Sequence, residues 1–346
     1  MILNILDHKM NALGRESALG YNPLHPDLSR AFLTLRTESL KLKTRFAPSP
    51  TGLLHVGNAY SALICQKWAE KHHADLLLRI EDIDYTRCKP EFYQQITDDL
   101  EWLGISFHGE TIKQSDRHGL YRSALEKLQS LGVIYPCFCT RKHIQQEIER
   151  MGIAPHAEDI IDPYPGICRE IDRHQSRSRM EHERFAWRLN TAKAMEMVGE
   201  SLTWCDQSGR HHPVTLSSLG DMVIGRKDID FSYHLTVVVD DADQDITHII
   251  RGEDLLPSTA IHRLLQALLN LPSPTYIHHA LISDSDGRRL AKRNRVITLK
   301  SLREAGCNPE LLCKYLLGSE GLIWPFQEHE ISTIPERLTE QLGSHV

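Results

Sequence analysis

What the chain lacks narrows its class before any motif is read. No uninterrupted apolar stretch approaches the roughly 20 residues needed to cross a bilayer, and the compact run Leu235–Val239 stops at Asp240 and Asp241. The leader has no apolar central block and carries Asp7, Glu16, Asp27 and Glu38. It therefore resembles neither a secretory signal nor an acid-poor transit peptide, and the cytoplasm is the expected compartment, with no membrane partner. Internal repeats and low-complexity tracts are missing too. There is no excess of cations: Lys and Arg total 40 against 46 Asp and Glu, a net charge of −6. Overall charge thus does not advertise nucleic-acid binding, which would need a local basic surface. Two runs offer one, Arg169–Arg173–Arg177–Arg179–Arg184 and Arg288–Arg289–Lys292–Arg293–Arg295, with a solvated face as the plain alternative.

A disulfide framework is not expected of eight cysteines in a cytoplasmic chain. Cys65, Cys88, Cys205, Cys307 and Cys313 are scattered, whereas Cys137 and Cys139 form a Cys-x-Cys pair and Cys168 follows along a polar stretch. Three thiolates suit zinc, with one oxygen or nitrogen ligand completing a tetrahedron, and free cysteines are the equal alternative from the residues alone. The 20 histidines include adjacent pairs such as His211–His212. Neighbouring residues point different ways on a helix or strand, so these pairs are poor metal clamps.

At 346 residues the chain has room for two domains, or for one domain carrying a large insertion. Thr44–Ala47 reads as a strand ending at Pro48-Ser49-Pro50-Thr51-Gly52, a stretch no helix contains. Helical spacing follows through Lys71, then the apolar run 74–80 suggests a buried parallel strand. Pro90 opens a helix ended by Gly104, Leu120–Leu131 is another stopped by Gly132, and Val133–Tyr135 is a short strand. Strand–helix alternation of this kind implies a parallel sheet with helices on its faces. It breaks from Cys137 to about Gly220 and resumes with strands at Asp221–Ile224, Leu235–Val239 and Ile246–Ile250 and a helix at Ser258–Leu269. A further helix is expected at Pro309–Leu317.

Chemistry concentrates in four stretches. Arg45 to Asn58 is a strand, a Pro/Gly-braced loop and a helix start carrying His55, where unpaired N–H groups and the helix dipole favour phosphate. Gly52 and Gly57 clear room for a nucleotide against the backbone. Arg79-Ile-Glu-Asp-Ile-Asp84 ends the next strand, where open α/β sheets bind ligands; Glu81 and Asp82 suit an ammonium group or magnesium, while Asp84 reads as a turn cap. Arg251-Gly-Glu-Asp254 repeats the pattern, with a guanidinium fork matched to a carboxylate and Tyr233 near the start of the preceding strand region as a possible wall. Finally, Asp284-Ser-Asp-Gly287 leads into clustered cations that include Lys292, as in a loop that closes over polyphosphate.

Together these stretches resemble the class I aminoacyl-tRNA synthetases of the glutamyl type. Pro48–Asn58 looks like the HIGH signature in its glutamyl form, and Arg289–Arg293 like KMSKS, with Arg289 in place of the first Lys and Ala291 in place of a Ser. Within that branch the chain is similar to the glutamyl-Q tRNA(Asp) synthetases, because Arg293–Val346 is too short for a helical anticodon-binding domain. The resemblance implies an α/β class I Rossmann-type parallel sheet split by a zinc-containing insertion. The resemblance begins at about Leu42, so the chain's expected parts are a poorly ordered leader without a counterpart in that family (1–41), a first Rossmann half (42–136), the insertion (137–220), a second half with the KMSKS-like loop (221–300) and a short helical tail (301–346).

The same resemblance implies ATP-dependent activation of L-glutamate and transfer to the queuosine base of tRNA(Asp), by a monomer. His55 and Lys292 would be catalytic; Arg45, Phe46, Ala47, Pro48, Ser49, Glu81, Tyr233 and Arg251 would hold glutamate; His55, Gly57, Asn58 and Lys292 would hold ATP with magnesium. One structural zinc would sit on Cys137, Cys139, Tyr164 and Cys168, with His143 and His156 competing with Tyr164 for the fourth place. The alternatives are a truncated glutamyl-tRNA synthetase charging the tRNA 3′ end and a non-catalytic zinc-bearing RNA-binding module.

Overall fold

The computed structural model describes residues 41–140, 142–144, 146, 164–199, 201–216, 220–284, 287, 297–318 and 323–343. Most of the expected leader, His156 and the segment containing Lys292 lie outside the described residues. Strand β1 (Lys43–Phe46) pairs in parallel with β2 (Asp75–Ile80), which pairs in parallel with the short β3 (Ile112–Lys113). Between β1 and β2 runs α1 (Val56–His72), started by His55 in an extended conformation and stopped by His73 in the left-handed region. Its buried face includes Val56, Tyr60 and Leu63 together with the small residues Ala59, Ala62, Cys65 and Ala69, and the helix packs on β1 and on the strand His248–Gly252. Helices α2 (Pro90–Trp102) and α3 (His118–Ser130) follow, each with a buried stripe around Leu100 or Leu128.

Strand β4 (Ile134–Cys137) is present where a strand is expected, yet it pairs antiparallel with β5 (Ala186–Leu189), which pairs antiparallel with β8 (Val223–Gly225). That small sheet stands apart from the parallel one and carries Cys137 at its end. On either side of β5 lie α4 (Arg173–His182) and α5 (Thr191–Val198). The hairpin of β6 (Thr203–Asp206) and β7 (His211–Pro213) comes before β8 and extends the second half of the parallel sheet.

Helix α6 (Tyr233–Asp243) occupies the place where the run Leu235–Val239 suggests a strand. The β-branched composition misleads because this helix is buried on most sides, Leu235, Thr236, Val237, Val238, Asp240 and Asp241 included, so no polar face marks its period. Neighbours on a strand point to opposite faces, but Asp240 and Asp241 both approach the Arg79 guanidinium, as a helix end allows. Strand β9 (His248–Gly252), α7 (Leu256–Leu269) and β10 (Thr275–His279) complete the second half; β10 is parallel to both β9 and β6.

The two halves meet at β1 and β9. Thr247 N donates to Lys43 O at 3.0 Å and Lys43 N to Thr247 Oγ1 at 2.9 Å, giving the spatial order β3-β2-β1-β9-β10-β6-β7. Strand order reverses at this seam, so a crevice opens beyond the carboxyl ends of β1 and β9. Past it, β11 (Ser283–Asp284) pairs with β12 (Ile323–Trp324), and α8 (Leu299–Glu304), α9 (Pro309–Leu317) and α10 (Ile334–Gly343) pack their Leu302, Leu312 and Leu338 into the core shared with α1. Among the described residues no helix is long and apolar enough to cross a membrane.

Candidate active site

The crevice at the seam is a cleft of about 720 Å³. Arg45, Phe46, Ala47, Pro48, Ser49, His55, Gly57, Asn58, Glu81, Tyr233 and Arg251 all line it. The loop after β1 is tied to the end of β2 by Glu81 N donating to Pro48 O at 2.9 Å, which brings Glu81 to the wall. Tyr233 reaches the same wall from the first turn of α6, not from a strand.

His55 caps α1 with its own ring. Its Nδ1 accepts from Gly57 N at 3.0 Å, and Asn58 Oδ1 accepts from His55 N at 3.1 Å. Nδ1 being an acceptor places the ring proton on Nε2, and burial lowers the imidazole pKa below its usual value. His55 is thus a neutral ring with one N–H donor to spare. Gly57 serves this arrangement directly: a Cβ there would lie 2.9 Å from His55 Cε1. Its small size makes room for the imidazole, whereas a Cβ at Gly52 would meet nothing within 4 Å. The far flank of the Lys292 segment is held next to His55, since Leu299 N donates to Leu54 O at 2.8 Å and His55 bridges Thr298.

Three buried arginines stand around the cleft, in unlike surroundings. Arg45 donates from Nε to Asp241 Oδ1 at 2.8 Å and from Nη1 to Ile250 O. Arg79 donates to Asp241 and Gln244, each at 2.8 Å, and to Glu81 Oε1 at 3.1 Å. Burial alone would lower both arginines, but the charge of Asp241 raises them. Burial likewise opposes ionisation of Asp241, yet Arg45 and Arg79 hold it below the ordinary carboxylate value. Glu81 is the exception: burial outweighs Arg79 and Arg45, and its pKa is raised. Asp82, its neighbour, turns elsewhere and accepts from Ser115 N, Ser115 Oγ and Tyr93 OH, each at 2.8 Å, so it is a bracing residue outside the cleft lining. Asp84 is bonded to Thr86 and Arg226, in keeping with a turn cap.

Arg251, only 6% exposed, has no carboxylate partner among the described residues. It donates from Nη2 to Thr259 Oγ1 at 2.7 Å, from Nη1 to His262 Nδ1 at 3.0 Å and from Nε to His278 Nε2 at 3.4 Å, and lies 5.3 Å from the Tyr276 ring centroid. His278 is pulled down to about 4, first by burial and then by the Arg251 charge, and His262 is held well below its usual value for the same reasons. A buried cation among neutral acceptors is a receptor for an anion. These histidines were not singled out by sequence. His278 belongs to an adjacent pair whose members do point apart: His279 Nε2 meets Ser61 Oγ at 2.6 Å while His278 faces Arg251.

In the insertion, the Sγ atoms of Cys137, Cys139 and Cys168 lie within 4.8 Å of one another, all buried. Tyr164 OH is 3.3 Å from Cys137 Sγ and 3.5 Å from Cys139 Sγ, and accepts from Cys168 N at 2.9 Å. Tetrahedral zinc with Zn–S of about 2.3 Å spaces its sulfurs by about 3.8 Å, so the cluster fits such an ion in size and donor chemistry. Lys227 Nζ donates to the carbonyls of Phe138 and Cys139, holding the Cys-x-Cys turn, and Arg188 stacks 3.8 Å from the Tyr164 ring centroid. His143 is exposed and outside the group. Of the first basic run, Arg169 is paired with Asp221 and Arg179 with Glu183, while Arg173 and Arg177 stay exposed beside Lys193.

A family model described as tRNA synthetases class I (E and Q), catalytic domain, matches residues 41–334. The glutamyl-Q tRNA(Asp) synthetase of Rhodobacter capsulatus is 44% identical over 273 residues, covering 77% of this chain and 96% of that protein. A glutamate–tRNA ligase of Aquifex aeolicus is 38% identical over 80% of this chain but only 56% of its own length. Among solved structures, a glutamate tRNA ligase from Elizabethkingia meningosepticum in complex with its amino acid superposes with a TM-score of 0.66 at 25% identity, over 84% of this chain and 64% of that one. The chain belongs to the class I tRNA synthetases of the E and Q type, ATP-using ligases, and within them to the group of the glutamyl-Q tRNA(Asp) synthetases.

Proposed function

We propose that this chain activates L-glutamate with ATP and transfers it to the queuosine base in the anticodon loop of tRNA(Asp). The observation that carries the glutamate assignment is Arg251, a buried guanidinium lining the cleft with no carboxylate partner among the described residues, whereas the buried Arg45 and Arg79 both pair with Asp241. A side-chain carboxylate satisfies it, and the α-ammonium group suits Glu81, whose raised pKa such a cation would bring down. Arg45, Phe46, Ala47, Pro48, Ser49 and Tyr233 line the same cleft beside them.

In the first step an oxygen of the α-carboxylate bonds to the α-phosphorus of ATP while the bond to the β-phosphate breaks and pyrophosphate leaves. One anion attacks another, so orientation and charge neutralisation do most of the work. The Nε2–H of His55 is the donor placed for a phosphoryl oxygen, with Gly57 and Asn58 fixing the ring. Lys292, by its motif, takes the departing pyrophosphate, with magnesium offsetting the remaining phosphate charge. In the second step a hydroxyl of the modified base attacks the glutamyl carbonyl and AMP leaves. Zinc on Cys137, Cys139, Cys168 and Tyr164 would supply a structural constraint only. We place the enzyme in the cytoplasm, acting as a monomer.

Support for the RNA target comes from the relatives: the similarity runs along 96% of the Rhodobacter glutamyl-Q tRNA(Asp) synthetase. Nuclease mapping tests it. Labelled glutamate should be recovered on an anticodon-loop nucleotide of tRNA(Asp). Label on the 3′-terminal adenosine would overturn the target and leave a truncated glutamyl-tRNA synthetase.

A further inference from the structure

We propose that His262 and His278 are positioning residues that make Arg251 selective for a carboxylate, and that they thereby set the preference for glutamate over its amide; this rests on reading the cleft as a glutamate site. An arginine side chain has five N–H donors and no acceptor. Three are engaged by Thr259, His262 and His278, which leaves one on each terminal nitrogen, the number a carboxylate takes in a two-pronged contact. The hydrogen-bond directions follow from the arginine outward. His262 Nδ1 must accept, so its proton sits on Nε2, 3.1 Å from His234 Nδ1, which accepts in turn. His278 Nε2 accepts from Arg251 and also lies 3.0 Å from Thr259 Oγ1, so its proton is on Nδ1. Among the described residues, every group hydrogen-bonded to the guanidinium is therefore an uncharged acceptor.

This shell does two things at once. It fixes the plane of the guanidinium, and it leaves the positive charge for the ligand to neutralise. Arg45 on β1 and Arg79 on β2 are already paired with Asp241, and Arg79 with Glu81 and Asp240 as well, so neither can play that part. A glutamine amide would offer a single acceptor and no charge, leaving a buried donor unpaired and a cation uncompensated.

The test is glutamate-dependent pyrophosphate exchange by the full chain, with KM and kcat read separately for glutamate, glutamine and ATP. His262→Leu removes the acceptor and should raise KM for glutamate about tenfold or more, while KM for ATP stays within about twofold. His262→Gln restores an acceptor and should recover most of the loss. His278→Asp supplies an internal carboxylate and should lower the glutamate-to-glutamine preference by about 10²-fold, through loss of glutamate affinity. Melting curves monitored by circular dichroism establish that each variant is folded. Unchanged glutamate KM in folded His262→Leu and His278→Asp, or KM for ATP rising in step with that for glutamate, would overturn the proposal. Failure of the unaltered enzyme to exchange with glutamate would instead remove the underlying assignment of the cleft.

Discussion

At the scale of single residues, the cleft is organised by which charges are already matched. Arg45 could be assigned to the site from its motif, but its dominant contact, Asp241, comes from a helix 196 positions away, a separation that local pattern cannot bridge. Arg251 was legible for the converse reason: a strand ending in Arg-Gly ahead of a helix places a guanidinium fork at a ligand-binding edge. The neutral shell that makes it a receptor was not legible, since His234, His262 and His278 come from three elements and converge only through the fold. Arg251→Ala should reduce kcat/KM for glutamate exchange by about 10²-fold or more, with a smaller effect on melting temperature, because removing a buried, uncompensated cation offsets the loss of its bonds to Thr259, His262 and His278. Arg251→Lys should recover little of it, since an ammonium group cannot offer the paired N–H groups. Kinetics and a thermal melt on both variants check this.

At the scale of elements, the helices and strands of the first half were readable because their signals are punctuated: Pro90 opens α2, Pro309 opens α9, and glycines close α2 and α3. α6 was misread because burial on nearly all sides erases the helical period, and valines then mimic a strand. Two element contacts yield predictions. Asp99 of α2 is fully buried against Arg303 of α8, at 3.4 Å, and neither of its oxygens has a hydrogen bond among the described residues. Burial outweighs Arg303 and raises its pKa to about 6. A carboxyl whose folded pKa is raised binds its proton more tightly when folded, so it costs stability as pH rises from about 4 through about 6. Asp99→Asn should therefore melt higher than the unaltered protein at pH 8, with the difference shrinking towards pH 5. The second contact is the knuckle of β4 against Cys168. The insertion has a small apolar core of its own around Phe138 and Tyr164, so a metal crosslink would carry much of its order. Cys139→Ser should sharply lower the zinc content of protein purified without chelator, and weaken transfer to RNA more than glutamate activation. Metal analysis beside separate assays of the two steps is the check; zinc-free unaltered protein would defeat the site.

At the scale of the whole molecule, the cleft depends on the seam between two half-sheets that the chain completes far apart in sequence. The alternation of strands and helices made a split α/β sheet readable, while the placing of β1 beside β9 was not, because no local signal states which strand lies beside which. The histidines gathered near Arg251 give the fold an acid sensitivity. His234 and His278 are held at about 4, by burial first and Arg251 second, so the unfolded chain binds more protons than the folded one between pH about 6.5 and about 4. Stability should fall as pH drops through that window, and denaturant melts should show a shallower fall for His278→Asn. The central claim is that this cleft builds a glutamyl-adenylate. Its most direct measurement is ATP–pyrophosphate exchange with purified protein in the absence of RNA. The account predicts exchange that depends on glutamate and is not supported by glutamine at the same concentration. Exchange with neither amino acid, or equal exchange with both, would contradict it.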